Sequence, residues 1–228
     1  MLLVFDLDIL LQQILNGLVL GSVYALVALG YTMVYGILQL INFAHGDVLM
    51  IGAMVGVTVA SLLSNSGLPG PVVLLIAVAV AVPVCVLLSL FIERVAYRPL
   101  RNAPRLAPLI TAIGVSIVIQ TVAMIIWKPN PVVFPDLLPT DPVHIFGAVL
   151  APKQILILVV SALMMGGLIL LVNKTRLGRA MRATAENPRI AGLMGVNSNQ
   201  VIAATFAIGA AGAANAALFA VALLANAE

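Results

Sequence analysis

The chain consists mainly of long apolar runs separated by short polar stretches, a pattern that few folds can accommodate. The runs occupy residues 9–29, 31–63, 71–92, 106–127, 154–172 and 200 to the C-terminal region. A membrane-crossing helix needs ~20 mostly apolar residues, which these runs supply. Only 8% of the residues are charged, whereas in a soluble domain about a quarter of all residues are charged and cover its surface. We therefore predict an all-α fold, a polytopic transmembrane helical bundle forming one domain over residues 1–228.

The positions of the basic residues predict how the bundle is oriented. Nine of the eleven follow the third and fifth runs, namely Arg94, Arg98, Arg101, Arg105, Lys174, Arg176, Arg179, Arg182 and Arg189. The positive-inside rule places both groups in the cytoplasm and the intervening loop, 128–153, on the other side. The side of the N-terminus stays open. It lies outside if 31–63 crosses the membrane once, and inside if that run forms two crossing pieces.

The second run is interrupted by the sequence NFAHGD, and this predicts one broken helix near residues 42–47. We expect Gly46 to end one helical piece and Asp47 to N-cap the next. Ionisable residues at membrane depth are costly and usually face protein or a water-filled path. Two interpretations remain, a loop at the membrane surface and a substrate pathway. The pathway interpretation names Asn42, Phe43, His45 and Asp47 as lining residues.

The fourth run carries polar side chains with helical spacing. Ser116 and Gln120 are four residues apart, which places them on one helical face. They are candidates for lining the pathway or for bonding a neighbouring helix, and we favour the helix contact. Gly17 with Gly21, and Gly52 with Gly56, form small-xxx-small pairs that would let helix backbones approach closely. Chance is the alternative explanation in a chain this rich in glycine and alanine.

The basic segment 174–199 is longer and more polar than a minimal connector. We expect a short helix from about Leu177 to Glu186, because the residue before Pro188 avoids helical geometry. A second short helix is expected to start at Pro188, followed by a turn at Gly195. Docking of a soluble partner and a loop that only fixes topology are equally compatible with these features.

No motif in the sequence predicts an enzyme. HExxH, GxSxG and P-loop patterns are missing, and Cys85 is the single cysteine, so no catalytic residue, metal site or cofactor is expected. The two histidines are too few for a typical zinc or haem site. Any use of ATP would therefore require a nucleotide-binding partner.

Four ordered motifs carry a resemblance to a known family. They are LNGLVLGSVYALVALGYTMVYGILQLINFAHGDVLMIGA, IERVAYRPLR, LITAIGVSIVIQ and TRLGRAMRATAENPRIAGLMGVN, which begin at residues 15, 92, 109 and 175. The chain resembles LivH-type permeases of branched-chain amino acid ABC importers, in the LivHM subfamily of binding-protein-dependent permeases. Such permeases continue through further helices after the fourth motif, so this chain is expected to be shortened at its C-terminus.

The resemblance implies a transport subunit of the bacterial inner (plasma) membrane. Its expected partners are a second related permease, two ABC ATPases, a periplasmic binding protein and membrane lipid, with no nucleic acid. The fourth motif would be the cytoplasmic coupling segment, 174–199, against which the ATPases push. Its candidate coupling residues are Arg179, Arg182, Ala183, Glu186, Asn187, Gly192 and Gly195. The substrate would be leucine, isoleucine or valine.

Three alternatives stay open at this point. A permease of the same superfamily could carry urea or short-chain amides. A channel or ion-coupled carrier would need no ATPase, but it would be expected to bury acidic residues in several spans, and Asp47 is the one candidate. A membrane scaffold would not depend on Asn42, His45 or Asp47 for uptake.

Overall fold

The computed structural model describes residues 7–100, 103, 104, 106–129, 132, 134, 135, 143–145 and 148–224. Six helices in this part are long and apolar enough to cross a membrane. They are α1 (Leu7–Leu38), α2 (His45–Leu63), α3 (Gly70–Ile92), α4 (Leu106–Trp127), α5 (Pro152–Lys174) and α8 (Ser198–Leu224). The predicted all-α transmembrane bundle is confirmed, and the predicted runs match the last four of these helices closely.

Shorter elements complete the described chain. A π-helical turn, Glu93–Tyr97, continues α3 without a break. Two short helices, α6 (Arg176–Glu186) and α7 (Pro188–Leu193), lie between α5 and α8, as the sequence predicted. The loop after α4 contains a small antiparallel hairpin of β1 (Val143–Ile145) and β2 (Ala148–Leu150), in which Val143 pairs with Leu150.

The interruption between the first two spans differs in detail from the prediction. Helix α1 continues through Gly30 to Leu38, because nothing in the local sequence stops it, and Gln39 then turns the chain with φ of 54°. Helix α2 begins at His45 with Ala44 as its N-cap residue. The expectation that Gly46 ends a helical piece and Asp47 caps the next is therefore wrong. Both residues lie in the first turn of α2, where Asp47 is free to contact another helix.

Helix α8 is the centre of the bundle, and α1, α2 and α3 pack around it. Small residues allow the close approach: an ideal Cβ on Gly52 would lie 3.1 Å from the Cα of Ala214, and one on Gly30 would lie 3.2 Å from the carbonyl oxygen of Gly209. Gly56 similarly faces Leu218. The predicted packing role is thus confirmed for Gly52 and Gly56.

The other predicted glycine pair behaves differently. Gly17 and Gly21 are exposed on α1, and a Cβ on either would meet no atom within 4 Å. The small-xxx-small spacing alone therefore does not predict whether a glycine pair lies at a helix–helix contact or on an exposed face.

The connectivity of the helices settles their relative directions. The ends of α1, α3 and α5 meet the beginnings of α2, α4 and α8 at one end of the bundle, which also carries α6, α7 and most arginines. We call this the basic end, and the positive-inside rule assigns it to the cytoplasm. Helix α1 therefore starts on the opposite side, in agreement with the first of the two orientations considered from the sequence.

Candidate functional site

The interruption, residues 42–47, packs inside the bundle and does not protrude from its basic end. His45 packs beside Gly30 of α1, which lies eight residues before Leu38, or about 12 Å at 1.5 Å per residue. Asp47 meets Gln120 of α4, which lies fourteen residues after Leu106, or about 21 Å from the basic end. Both contacts therefore lie within the lengths of α1 and α4 that are apolar enough to cross the hydrocarbon core, which is about 30 Å thick.

A polar network joins α2 to α4 at this depth. Gln120 donates from Nε2 to Oδ1 of Asp47 at 2.9 Å, and also to Oγ of Ser116 at 3.2 Å. The Asp47 side chain is only 6% exposed, and its second oxygen, Oδ2, has no hydrogen-bond partner. Three of the residues predicted to form the site are thus brought together: Gln120 bonds the neighbouring helix α2, and Ser116 accepts from Gln120 within α4. We call Asp47, Gln120 and Ser116 the polar network.

A second contact ties the interruption to the π-helical turn. The hydroxyl of Tyr97 donates to Oδ1 of Asn42 at 3.1 Å, and both side chains are buried. The Tyr97 ring also packs against Phe206 of α8, with 5.3 Å between ring centroids. Beside it, Ser89 of α3 donates to the carbonyl oxygen of Phe206 at 3.0 Å. π-helical turns are often found at functional sites, and here the turn places Tyr97 between the interruption and α8.

His45 faces the opposite side of α2 from the polar network. Its ring stacks edge-on against Tyr31 with centroids 4.5 Å apart, and it is 2% exposed. Its Nε2 atom has no hydrogen-bond partner, and a Cβ on Gly30 would lie 2.5 Å from it. The imidazole is therefore held in a cavity that exists because residue 30 is glycine.

The remaining predicted site residue, Phe43, is not part of either contact. Its side chain is 43% exposed, unlike its buried neighbours Asn42 and His45. Sequence reasoning missed Tyr97, Tyr31 and Phe206. The available signal was that Tyr97 lies within the IERVAYRPLR motif and Tyr31 within the motif that begins at residue 15.

The coupling segment forms two helices joined by a sharp turn. Thr175 caps α6 by accepting from the backbone N–H of Gly178 at 3.0 Å, and Asn187 caps α7 by accepting from Arg189 and Ile190. A Cβ on Gly178 would collide with the carbonyl oxygens that end α5. Arg182 also donates to one of them, that of Val172. Helix α6 is therefore tied closely to the end of α5.

The outer surface of this segment is open. All seven candidate coupling residues are exposed, namely Arg179, Arg182, Ala183, Glu186, Asn187, Gly192 and Gly195. Gly195 has φ of 83°, which confirms the predicted turn. Leu193 and Met194 are 84% and 81% exposed, although they lie at the basic end outside the long apolar helices. They form an exposed apolar pair in a segment that is otherwise rich in basic residues.

The polar side chains of the site cluster in two contacts, one between Asp47 and Gln120 and one between Asn42 and Tyr97. No group of three or more His, Cys, Asp or Glu side chains that could hold a metal ion occurs among the residues that the structure describes. The polar side chains instead form hydrogen-bonded links between neighbouring membrane helices.

A comparison with known families decides what kind of bundle this is. The family described as "Branched-chain amino acid transport system / permease component" matches residues 13–228. The chain belongs to this permease family. It is 49% identical over 213 residues to the branched-chain amino acid permease BraD of Pseudomonas aeruginosa, covering 91% of this chain and 69% of BraD. The predicted resemblance is confirmed.

Further relatives agree. The permease is 44% identical over 209 residues to LivH of Escherichia coli, which covers 90% of this chain and 68% of LivH. It is 43% identical over 209 residues to LivH of Salmonella typhimurium, again covering 90% of this chain and 68% of LivH. Both relatives carry the name of a high-affinity branched-chain amino acid transport permease. No solved structure matches the chain.

Proposed function

We propose that this chain is the permease subunit of an ABC importer that carries leucine, isoleucine and valine across the bacterial inner membrane. Membership of the permease family carries the proposal. The relatives named for this transport match about nine-tenths of the chain at 43–49% identity. The six membrane-length helices supply the bundle through which a solute would pass.

Partner ATPases supply the energy in this proposal. The coupling segment, 174–199, exposes the apolar pair Leu193 and Met194 at the basic end, and its Arg179, Arg182 and Arg189 are exposed as well. Exposed apolar groups surrounded by polar ones are typical of protein-binding surfaces. Two ATPases, acting on this subunit and on a second related permease, would push here as they bind and hydrolyse ATP, and a periplasmic binding protein would deliver the substrate.

The motion would reach the substrate pathway through α8. Helix α8 directly follows the coupling segment and places Phe206 against Tyr97, which in turn holds Asn42 in the interruption. A shift of α6 and α7 would thus displace α8, and the packed side chains would pass that displacement to the interruption. Asn42, His45, Asp47, Ser116 and Gln120 are the proposed pathway residues, with Phe43 at their margin.

Uptake in a strain that lacks its own branched-chain amino acid importers tests the substrate. The permease is expressed with its partner subunits, and the entry of radiolabelled leucine, isoleucine, valine and urea is compared. We expect all three amino acids to accumulate and urea to stay at background. Uptake of urea without leucine would replace the substrate assignment with an amide permease.

A further inference from the structure

Asp47 leaves one carboxylate oxygen without a partner at the depth of the hydrocarbon core. Oδ1 accepts from Gln120, whereas Oδ2 is buried and accepts from no group. A buried carboxylate without full hydrogen bonding is costly, and ionisable residues at this depth are usually paired or functional. Among the residues that the structure describes, no lysine or arginine is paired with Asp47. The side chain therefore has a vacant place for a hydrogen-bond donor.

The acceptors around this place suit a primary ammonium group. An ammonium carries three N–H donors and no acceptor. The Asp47 oxygen, the Gln120 amide oxygen and the Ser116 hydroxyl are acceptors on two adjacent helices, and Gln120 already bridges the other two residues. His45 does not contribute, because its ring packs against Tyr31 on the other side of α2.

The position of α4 would give a solute access to the network. Within the described chain, α4 packs mainly on α2 and the π-helical turn, and most of its surface is exposed. Gln120 is exposed while Asp47 lies directly behind it. A small displacement of α4 would uncover Oδ2 without disturbing the packing of α8 on α1, α2 and α3.

We propose that Asp47, assisted by Gln120 and Ser116, binds the α-ammonium group of the amino acid as it crosses this subunit. The inference rests on the proposed function, since it requires an amino acid as the solute. Charge-assisted hydrogen bonds to a carboxylate are among the stronger ones available, and a low-dielectric site strengthens them. The site would select for the amine end of the substrate and leave the side chain to apolar surroundings.

Cysteine protection in the complete importer, reconstituted in proteoliposomes, tests this site. Met124 is exposed one turn beyond Gln120, so Met124→Cys in a Cys85→Ala background places a reactive thiol beside the network without altering it. A methanethiosulfonate reagent labels the thiol in the presence of leucinol, 4-methylpentanoate or sodium chloride. Both keep the alkyl chain of leucine, but leucinol keeps the ammonium and lacks the carboxylate, whereas 4-methylpentanoate keeps the carboxylate and lacks the ammonium. Ser64→Cys, at the opposite end of α2, serves as the control thiol.

We expect leucinol to slow labelling at Met124→Cys while the other two solutes have no effect, and labelling at Ser64→Cys to stay constant. Adding Asp47→Asn should weaken the leucinol protection at least about tenfold, the factor produced by losing one hydrogen bond to a charged group. If Asp47→Asn fails to assemble, Gln120→Met provides the second variant and should also weaken protection.

Several outcomes would overturn the site. They are equal protection by 4-methylpentanoate, protection by sodium ion alone, no protection by leucinol, and protection unchanged in both variants. Leucine uptake by the same importer is measured in parallel. Normal uptake without protection rejects the ammonium site and leaves the transport function standing, whereas absent leucine uptake rejects the proposed function itself.

Discussion

The hydroxyl of Tyr97 lies 3.1 Å from Oδ1 of Asn42, although fifty-five residues separate them in the chain. Both side chains are buried, and the Tyr97 ring rests on Phe206. The contact connects three parts of the bundle: the interruption before α2, the π-helical turn after α3, and the first half of α8. It lies between α8, which follows segment 174–199, and the residues that we propose line the pathway.

Tyr97→Phe tests this link with little change in volume. The variant removes the hydroxyl and leaves the Asn42 oxygen buried, a loss of about 1–3 kcal/mol. We expect leucine uptake by the complete importer to fall several-fold while ATP hydrolysis continues, because the motion of α8 no longer reaches the interruption. Tyr35→Phe, at an exposed position on α1, is the control and should transport normally. Equal uptake in both variants would argue against the link.

Gly30→Ala tests whether the space beside His45 matters. The added methyl group would lie 2.5 Å from Nε2 of a fully packed imidazole and 3.2 Å from the Gly209 oxygen. Overpacking of this kind costs about 1–3 kcal/mol. We expect a lower melting temperature for the detergent-solubilised complex. Gly17→Ala, on the same helix with nothing within 4 Å, should match or exceed the wild-type melting temperature.

Gly178→Ala tests the attachment of the coupling segment. Its methyl group would meet backbone oxygens at the end of α5, which cannot move aside as a side chain could. We expect α6 to be displaced, so that ATP hydrolysis by the partners no longer drives leucine uptake. Gly167→Ala on α5 meets no neighbouring atom and is the matched control. Coupling ratios that do not differ between the two variants would show that the close approach is unimportant.

Leu193→Asp tests whether the exposed apolar pair, Leu193 and Met194, contacts the ATPase. A charge placed at the centre of a docking surface opposes burial of that surface, so we expect affinity-tagged permease to recover much less ATPase from membranes. Leu68→Asp, in the loop at the opposite end of the bundle, should recover the wild-type amount. Undiminished recovery with Leu193→Asp would remove this residue from the contact.

Glu186→Arg and Gly195→Trp test the turns of the coupling segment. Both positions are exposed, and Gly195 holds a positive φ that a tryptophan would strain. We expect both variants to insert into the membrane and to support ATP hydrolysis without leucine uptake. Uptake at the wild-type rate in either variant would contradict the assignment of that residue to coupling.

The sequence was sufficient for the last four spans and for the two short helices of segment 174–199, because each has strong local signals. The apolar runs of α4 and α8 have the length that a bilayer requires. Helix α6 ends before Asn187 because the residue before a proline avoids helical geometry, and α7 begins at Pro188. The end of α1 had no such signal. Apolar residues continue on both sides of Gly30, so the true turn at Gln39 depends on tertiary packing.

The candidate site was predicted only in part for a similar reason. Polar residues inside apolar runs stand out, so Asn42, Asp47 and Gln120 were found. Their pairing depends on how α2 meets α4 and the π-helical turn, which no local pattern encodes. Tyr97 and Phe206 are aromatic residues near apolar runs, where most such residues serve only as packing. Their contact with each other becomes visible when the helices that carry them are placed together.

Uptake in proteoliposomes shows directly whether ATP drives amino acids through this bundle. The purified complete importer, supplied with its binding protein, is given radiolabelled leucine with ATP, without ATP, or with a non-hydrolysable analogue. We predict that leucine accumulates above its external concentration only when ATP can be hydrolysed. Leucine that equilibrates equally well without hydrolysis would identify a channel or carrier and contradict the importer mechanism.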